Sequence, residues 1–451
     1  MAPWFKALSG SEPESRRLRT FLQVWAGQTA SLLGSGLTSF ALGVWVFQQT
    51  GSATSFTLIS VMASLPGMLF FPIAGALVDR WNRRLAILLS DSASAVITIA
   101  ILALVLSDQL AIWHIYLYAG ANSLFKALQF PAFSAAVTQL VPKKHLGRAS
   151  GMISIGQATS STLAPVLAAG LMSFSSLSAV ILADLVTFTI ALINLLLVRI
   201  PKPKATEAGK ASRGTLTQEI KAGWTYIRKR PGLLGLLAFF AGFNFLVPAA
   251  FVLTTPLVLS FGDAKDLGAT LSTASLGVLA GGFLMTAWGG PKRKIYGILG
   301  AAPLPILGLL LTGLRPSLLL IGIGMFLVIG VTPILMGCSQ AIWQRKVEQD
   351  LQGRVFAIRA VVGRITTPFA YLLAGPLADH VFEPLLRSDG ALAGSLGPIF
   401  GVGPGRGIGL LFVVFALCFA TLTIVASRYR PLRDVELDLP DADADAESAS
   451  A

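Results

Sequence analysis

A chain of 451 residues in which 54% are hydrophobic and 13% are charged is too apolar for an ordinary soluble protein, whose charged fraction is about 25%. The formal net charge of +13 does not indicate a nucleic-acid-binding surface, because the basic residues are dispersed through short segments between long apolar runs. The two cysteines, Cys338 and Cys418, lack CxxC spacing, so neither a disulfide framework nor a metal site is indicated. Composition predicts a polytopic membrane protein.

Apolar segments follow one another along the whole chain, each about as long as the ~20 residues that a helix needs to cross a bilayer. Breaks at glycine, proline and charge clusters place twelve spans at 21–47, 55–79, 85–106, 112–140, 149–173, 177–199, 233–260, 268–288, 295–313, 316–343, 354–379 and 406–427. The polar N-terminal segment lacks the features of a signal peptide, so the first span is expected to be retained. The predicted fold is all-α.

Basic residues sort to one side of these spans. With the N-terminus inside, most of the loop lysines and arginines face the cytoplasm, and the outside receives Lys265, Arg315, Arg387 and Arg406. Both termini are therefore expected to be cytoplasmic.

One long polar connection separates six spans from six. It divides the chain into a cytoplasmic N-terminal segment (1–20), a six-helix bundle (21–200), a cytoplasmic linker (201–232), a second six-helix bundle (233–430) and an acidic tail (431–451) that is predicted to be disordered. The linker contains apolar positions at helical intervals, Ile220, Trp224 and Ile227, which predict an amphipathic helix on the inner membrane surface. The halves also share the pairs Gly147-Arg148 and Gly353-Arg354, so we expect two pseudo-symmetric bundles with a binding site between them.

A charged turn between spans two and three, "GALVDRWNRR", contains Gly75, Asp79, Arg80, Arg83 and Arg84. The four-residue spacing puts a close helix contact and a carboxylate on one helix face. Such a carboxylate can meet the N-terminal end of span eleven and the loop arginines, which would form a gate on the cytoplasmic side. The alternative is that the arginines only hold topology. Two further residues are assigned to this gate motif, Asp91 as a support for the loop arginines and Arg359 from the start of span eleven.

Twelve spans in two halves of six, with G-x-x-x-D-R-x-x-R-R between spans two and three, resemble the major facilitator superfamily. Asn82 stands where a second glycine is usual in that motif. The stretches "LGSGLTSFALGVWVFQQTGS" and "FPAFSAAVTQLVPKKHLGRASG" resemble the branch of macrolide efflux pumps and the enterobactin exporter. The resemblance implies transport by alternating access without a cofactor, driven by the proton gradient.

Span five resembles the antiporter motif of the same superfamily, G-x8-G-x3-G-P-x2-G-G. The register gives Gly151, Ser160, Ala164, Pro165, Ala168 and Ala169. Small residues allow close packing, here expected against a span of the other half, and the proline bends the helix. The resemblance implies export, although small-residue faces occur in any helix bundle.

Ionisable residues inside spans are few, which makes them informative. Lys126 in span four and Asp184 in span six lie at similar depth, so we expect them to pair, either as a structural ion pair or as a proton-coupling pair that faces the substrate. The superfamily resemblance implies a cavity lined by spans one, four, seven and ten. It gives as substrate-binding candidates Gln28, Lys126, Gln129, Asn244 and Gln340, each of which is alternatively a packing residue.

These observations predict a transporter of the bacterial inner membrane and not an enzyme. The expected function is proton-coupled export of an amphiphilic small molecule such as an antibiotic, siderophore or secondary metabolite. A lysophospholipid or lipid-like substrate is an alternative, and a transporter-like sensor or scaffold without flux is another. The expected partners are the substrate and membrane lipid, with no nucleic acid, and the chain is expected to be a monomer.

Overall fold

The computed structural model describes residues 13–142, 145–198 and 223–441, and these ranges contain helices and no strands. In the first half the helices are α1 (Pro13–Thr50), α2 (Ala53–Arg80), α3 (Arg83–Leu106), α4 (Ile112–Leu140), α5 (Leu146–Phe174) and α6 (Leu177–Leu197). They match the first six predicted spans. α1 is longer than predicted and begins before the apolar run.

The second half contains the other six spans, two of them as broken helices. Its helices are α7 (Pro231–Leu259), α8 (Ala264–Trp288), α9 (Lys294–Ala301), α10 (Pro303–Leu314), α11 (Leu318–Gly330), α12 (Thr332–Lys346), α13 (Gln349–Pro376), α14 (Glu383–Leu385), α15 (Gly397–Phe400), α16 (Arg406–Arg428), α17 (Arg430–Arg433) and α18 (Val435–Asp438). A π-helical turn, Leu377–Phe382, continues α13.

The breaks have a common cause. α10 and α12 each begin with proline in the first or second position, at Pro303 and Pro333, where the missing N–H cannot continue the preceding helix. α9 and α10 together form one predicted span, and α11 and α12 another. Within the described ranges nine segments are long and apolar enough to cross a membrane, and α4, α5 and α13, with 29, 29 and 28 residues, are long enough as well. The protein is embedded in a membrane.

Two compact units make up the fold. Unit 1 comprises Met1–Thr50 and Leu58–Ala205, and unit 2 comprises Gly51–Thr57 and Thr206–Ala451. In unit 1, α1 lies against α4, α5 and α6, and α3 lies against α4 and α6. In unit 2, α7 packs on α13 and α16, while α10 packs on α11 and α16. The short segment Gly51–Thr57 is the exception to a simple division into halves.

Small residues bring α5 against α1, inside unit 1. Ser160 Oγ donates to the carbonyl oxygen of Leu32 at 3.0 Å. A Cβ on Gly36 would lie 2.7 Å from the Cβ of Ala164, and Ala168 is fully buried. We expected this face to meet a span of the other half. The described contacts of Ser160 and Ala164 are instead with α1 of the same bundle.

The C-terminal segment differs from its prediction. Residues 431–441, expected to be disordered, fold as α17 and α18 and pack on α7 and α9, with Leu432 and Val435 buried. Lys346 at the end of α12 is buried and donates to the carbonyl oxygen of Glu436 at 2.8 Å. Its ammonium also forms an ion pair with Asp441 at 2.7 Å. Most of the linker and the rest of the acidic tail lie outside the described residues.

Of the predicted amphipathic helix, the structure describes only the last part. Residues 223–228 are helical, with Ile227 buried and Trp224 43% exposed. The position of Ile220 lies outside the described ranges.

Candidate functional site

A cavity of about 210 Å³ lies inside unit 1, between α1, α3, α4, α5 and α6. α1 presents Gln28, Ser31 and Ser35 to it, residues spaced three and four apart and therefore on one helix face. α4 does the same with Lys126, Gln129 and Phe133. The remaining lining residues are Trp25, Thr29, Leu32, Asp91, Ser94, Phe130, Ile153, Gly156, Gln157 and Phe188. Helical periodicity thus gathers three of the five predicted substrate-binding residues in one cavity.

A carboxylate held by two amides forms the polar centre of this cavity. Gln28 Nε2 donates to Asp91 Oδ2 at 2.9 Å, and Gln129 Nε2 donates to Asp91 Oδ1. Gln129 Nε2 also donates to Gln28 Oε1 at 2.9 Å, which closes a ring of three side chains. Asp91 is 3% exposed. Because both of its oxygens accept hydrogen bonds, burial of this carboxylate is compensated.

This placement corrects the prediction for Asp91. The sequence assigned it to the loop arginines because it follows them by only two helical turns. In the structure its carboxylate faces the cavity, and its hydrogen-bond donors come from α1 and α4. Sequence reasoning missed the grouping with Gln28 and Gln129, since nothing in one helix tells which neighbouring helices its polar face meets.

Lys126 and Asp184 do not form the expected ion pair. Lys126 lines the cavity with its side chain accessible, whereas Asp184 is fully buried on α6. Asp184 Oδ2 accepts from Thr38 Oγ1 at 2.7 Å, and its Oδ1 has no hydrogen-bond partner in the described part of the chain. The two charges are near enough to interact electrostatically. The two side chains have different surroundings.

Unit 2 contains a second cavity of about 320 Å³, lined by residues of α7, α12 and α13 that include Asn244 and Arg359. Arg359 Nη1 donates to Gln340 Oε1 at 2.6 Å, and Nη2 donates to Ser339 Oγ at 3.3 Å. Its guanidinium lies 5.8 Å from the ring centre of Trp343. Arg359, a residue predicted for the gate, therefore bonds to the substrate candidate Gln340 and lines the same cavity as the substrate candidate Asn244.

The charged turn is described in part. Arg83 Nη1 donates to the carbonyl oxygen of Ala135 at 2.9 Å, and Arg84 donates to the carbonyl oxygens of Leu195 and Leu196 at the end of α6. Arg84 thus satisfies carbonyls in the last turn of α6, and Arg83 contacts α4, both within unit 1. The side chains of Asp79 and Arg80, and the surroundings of Gly75, lie outside the described residues, so the gate stays a prediction.

The remaining residues of the predicted antiporter motif lie along α5. Pro165 is inside the helix and Ala169 is buried, whereas a Cβ on Gly151 would have no neighbour within 4 Å. Close packing therefore belongs to the middle of the motif and not to its first glycine.

Comparison with known proteins supplies the family. The family model of the Major Facilitator Superfamily matches residues 24–371. Macrolide efflux protein A of Streptococcus pyogenes is 27% identical over 369 residues, which cover 80% of this chain and 90% of that protein. Multidrug efflux pump Tap of Mycolicibacterium fortuitum is 25% identical over 390 residues, covering 81% and 90%.

Among solved structures, a bacterial homolog of the human lysosomal transporter Spinster, in an inward-facing and unoccupied conformation, superposes with a TM-score of 0.67 at 17% identity. The alignment covers 93% of this chain and 98% of that one. At this identity the likeness concerns the fold, and it agrees with the arrangement of helices described above. The fold and the family match over most of the sequence show that this chain belongs to the major facilitator superfamily.

Proposed function

We propose that the protein is a secondary active transporter that exports an amphiphilic small molecule by alternating access, driven by the proton gradient. The observation that carries the proposal is the cavity of unit 1, which is lined by both a buried carboxylate and an accessible ammonium, those of Asp91 and Lys126. The names of the similar proteins, a macrolide efflux protein and a multidrug efflux pump, support export.

The lining of the cavity indicates the chemistry of the substrate. Trp25, Phe130 and Phe133 offer apolar and aromatic surface. Asp91 gives a basic amine a counter-charge, and Lys126 gives a carbonyl or other acceptor a donor. A medium-sized compound with both features, such as a basic macrolide, suits this arrangement.

Proton coupling is assigned to Asp184, with Lys126 as its electrostatic partner. Asp184 has a single described hydrogen-bond donor and a bare oxygen in a fully buried position, where an ionised carboxylate would be costly. Asp91 has two donors. Two carboxyl groups in such different surroundings suit different roles, one carrying a proton and the other contacting substrate.

The proposal places the protein in the bacterial inner membrane as a monomer surrounded by lipid, with both termini in the cytoplasm. The sequence contains no G-x4-G-K-[ST] nucleotide site, so the energy source is a gradient and not ATP hydrolysis.

Expression in an efflux-deficient bacterium tests the proposal. Accumulation of macrolides, siderophores, dyes and a lysophospholipid is measured with and without a proton uncoupler, beside cells expressing the Asp184→Asn variant at the same level. We expect reduced accumulation of at least one amphiphile, and the uncoupler and the variant should each restore it. Unchanged accumulation of every compound, despite normal membrane expression, contradicts export. Movement of the lysophospholipid alone would replace the substrate class by lipids.

A further inference from the structure

The spacing that defines the charged turn of the first half occurs a second time. Gly375 and Asp379 repeat the G-x-x-x-D pattern of Gly75 and Asp79. They lie at the C-terminal end of the eleventh span, whereas the predicted inner gate involves its N-terminal end. Gly375 lies in the last turn of α13, and Asp379 lies in the π-helical turn Leu377–Phe382 that follows. This copy lacks the arginines that directly follow Asp79.

Asp379 caps the start of another helix. Its Oδ2 accepts from Ser52 Oγ at 2.6 Å and from the backbone N–H of Thr54 at 2.8 Å, and its Oδ1 accepts from the N–H of Ala53 at 3.0 Å. These N–H groups belong to the first turn of α2, where no intrahelical acceptor exists. A carboxylate at this position also interacts favourably with the helix dipole.

Gly375 makes the close approach possible. A Cβ at this position would lie 2.6 Å from the Cα of Thr54 and would overlap Thr57 Oγ1. The glycine and the aspartate therefore act together. The glycine lets the helices touch, and the aspartate accepts hydrogen bonds from the N–H groups at the helix start. This is the arrangement that the sequence predicted for Gly75 and Asp79, with span two and span eleven in exchanged roles.

The first turn of α2, which Asp379 caps, belongs to a different unit from the rest of that helix. Gly51–Thr57 clusters with unit 2, whereas α2 continues in unit 1 from Leu58 onward. Any movement of unit 1 during transport must either carry this first turn along or release it from Asp379.

We propose that Gly375 and Asp379 form a latch on the outer side of the membrane, which holds the first turn of α2 in one state of the transport cycle and releases it when the outer side opens. The outer position follows from the predicted topology, since the connection between the first two spans faces outward when the N-terminus is inside. The inference rests on the proposed transport function and adds a second, outer latch to the predicted inner gate.

A neighbouring carboxylate provides the matched control. Glu383, in the next helical turn after Asp379, accepts from the backbone N–H of Ile408 at 3.0 Å in the first turn of α16. The chemistry is the same, but α16 lies wholly within unit 2. Loss of this cap should lower stability without changing the conformational equilibrium.

Distances between spin labels test the latch. Labels are attached at Gln109→Cys and Ser388→Cys, which are exposed positions of units 1 and 2, in the full chain with Cys418→Ser, reconstituted in lipid nanodiscs. Double electron–electron resonance is recorded without substrate and without a pH gradient, so the measured distances do not depend on whether the proposed export occurs.

Asp379→Asn removes the negative charge and one of the two acceptor oxygens at the helix start, and it should therefore enlarge the long-distance population about fivefold. Gly375→Ala should shift it in the same direction, and Glu383→Gln should not. Identical distance distributions in folded Asp379→Asn and Gly375→Ala would overturn the latch, and so would an equal shift in Glu383→Gln. If Asp379→Asn does not fold, Ser52→Ala keeps the carboxylate and removes one of its donors, together with the hydroxyl that accepts from the N–H of Ser55, and it should shift the distribution in the same direction. An unchanged distribution in Ser52→Ala would then overturn the latch.

Discussion

The ring formed by Asp91, Gln28 and Gln129 allows its charge to be removed without removing its hydrogen bonds. In Asp91→Asn a rotation of the two glutamine amides restores a closed cycle. The new amide donates to Gln28 Oε1, Gln28 donates to Gln129 Oε1, and Gln129 keeps its bond to the remaining oxygen at position 91. The present ring has three bonds, so the count is unchanged. We expect the folding stability of Asp91→Asn to stay within about 1 kcal/mol of the parent.

Asp91→Leu is the contrasting change. It removes both acceptor oxygens, so Gln28 Nε2 loses its acceptor while Gln129 Nε2 keeps its bond to Gln28 Oε1, and an unpaired donor costs about 1–3 kcal/mol when it is fully desolvated. Because Gln28 is only partly buried, we expect the lower half of that range, about 1–2 kcal/mol.

The assay pairs thermal unfolding of the purified variants with binding of a basic macrolide, followed by quenching of tryptophan fluorescence. Trp25 lines the cavity and donates to the carbonyl oxygen of Met152 at 2.9 Å. Asp91→Asn should unfold like the parent and bind at least about tenfold more weakly, because a desolvated counter-charge is worth more than ~1.4 kcal/mol. The exposed Asp389→Asn serves as the charge control. Unchanged binding by Asp91→Asn would refute a role of the carboxylate in recognition, and a large loss of stability would refute the proposed rotation of the amides.

Three further changes test other parts of the molecule. Asp184→Asn should abolish proton-driven efflux from proteoliposomes and leave downhill substrate exchange intact; proton-driven efflux at the parental rate would return Asp184 to a structural role. Gly36→Val should lower stability by about 1–3 kcal/mol, because a Cβ there already lies 2.7 Å from the Cβ of Ala164, whereas Gly151→Ala, with open space around it, should not. The basic pair that ends α12 holds the pKa of Asp441 below its ordinary value, Lys346 being the first contributor. Docking of residues 430–441 is therefore fully supported above about pH 4 and weakens as the pH falls through the lowered pKa. Hydrogen exchange of this segment from pH 7 to pH 3 measures the effect, which should be below about 1 kcal/mol because Asp441 is 39% exposed; a segment whose protection does not depend on pH would contradict the ion pair.

The number of helices and their division into two halves could be predicted from the sequence. The alternation of apolar runs and basic turns was sufficient to predict the helices and the division into six and six, because each span must satisfy its own backbone and match the bilayer. The contacts between helices inside a bundle are harder to predict from the sequence. The sequence predicts the small-residue face of α5 but not its neighbour, because Ser160 and Ala164 would fit any close helix and only the fold selects α1.

The side-chain contacts in the cavity of unit 1 are likewise only partly predictable from the sequence. The superfamily resemblance implies Gln28, Lys126 and Gln129 as candidates, and they line one cavity. For Asp91 the prediction is wrong, because closeness to the arginines along the sequence does not imply contact with them. Its actual donors are 63 and 38 residues away along the chain. Long-range hydrogen bonds of this kind follow from helix rotation, which a pattern of three and four residues does not determine.

The two G-x-x-x-D motifs explain why the sequence can predict a latch but not the state in which it is closed. At Gly375 and Asp379 the structure describes the latch formed, with three donors from the start of α2. The same spacing at Gly75 and Asp79 gives span two an equivalent aspartate for the start of span eleven. If each latch contributes about 1–2 kcal/mol, as helix caps do, their contributions nearly cancel. The populations of the two states then depend on small differences elsewhere, and a bound substrate or proton can reverse them. Such a balance is what an alternating-access transporter requires, because a latch much stronger than its counterpart would stop the cycle.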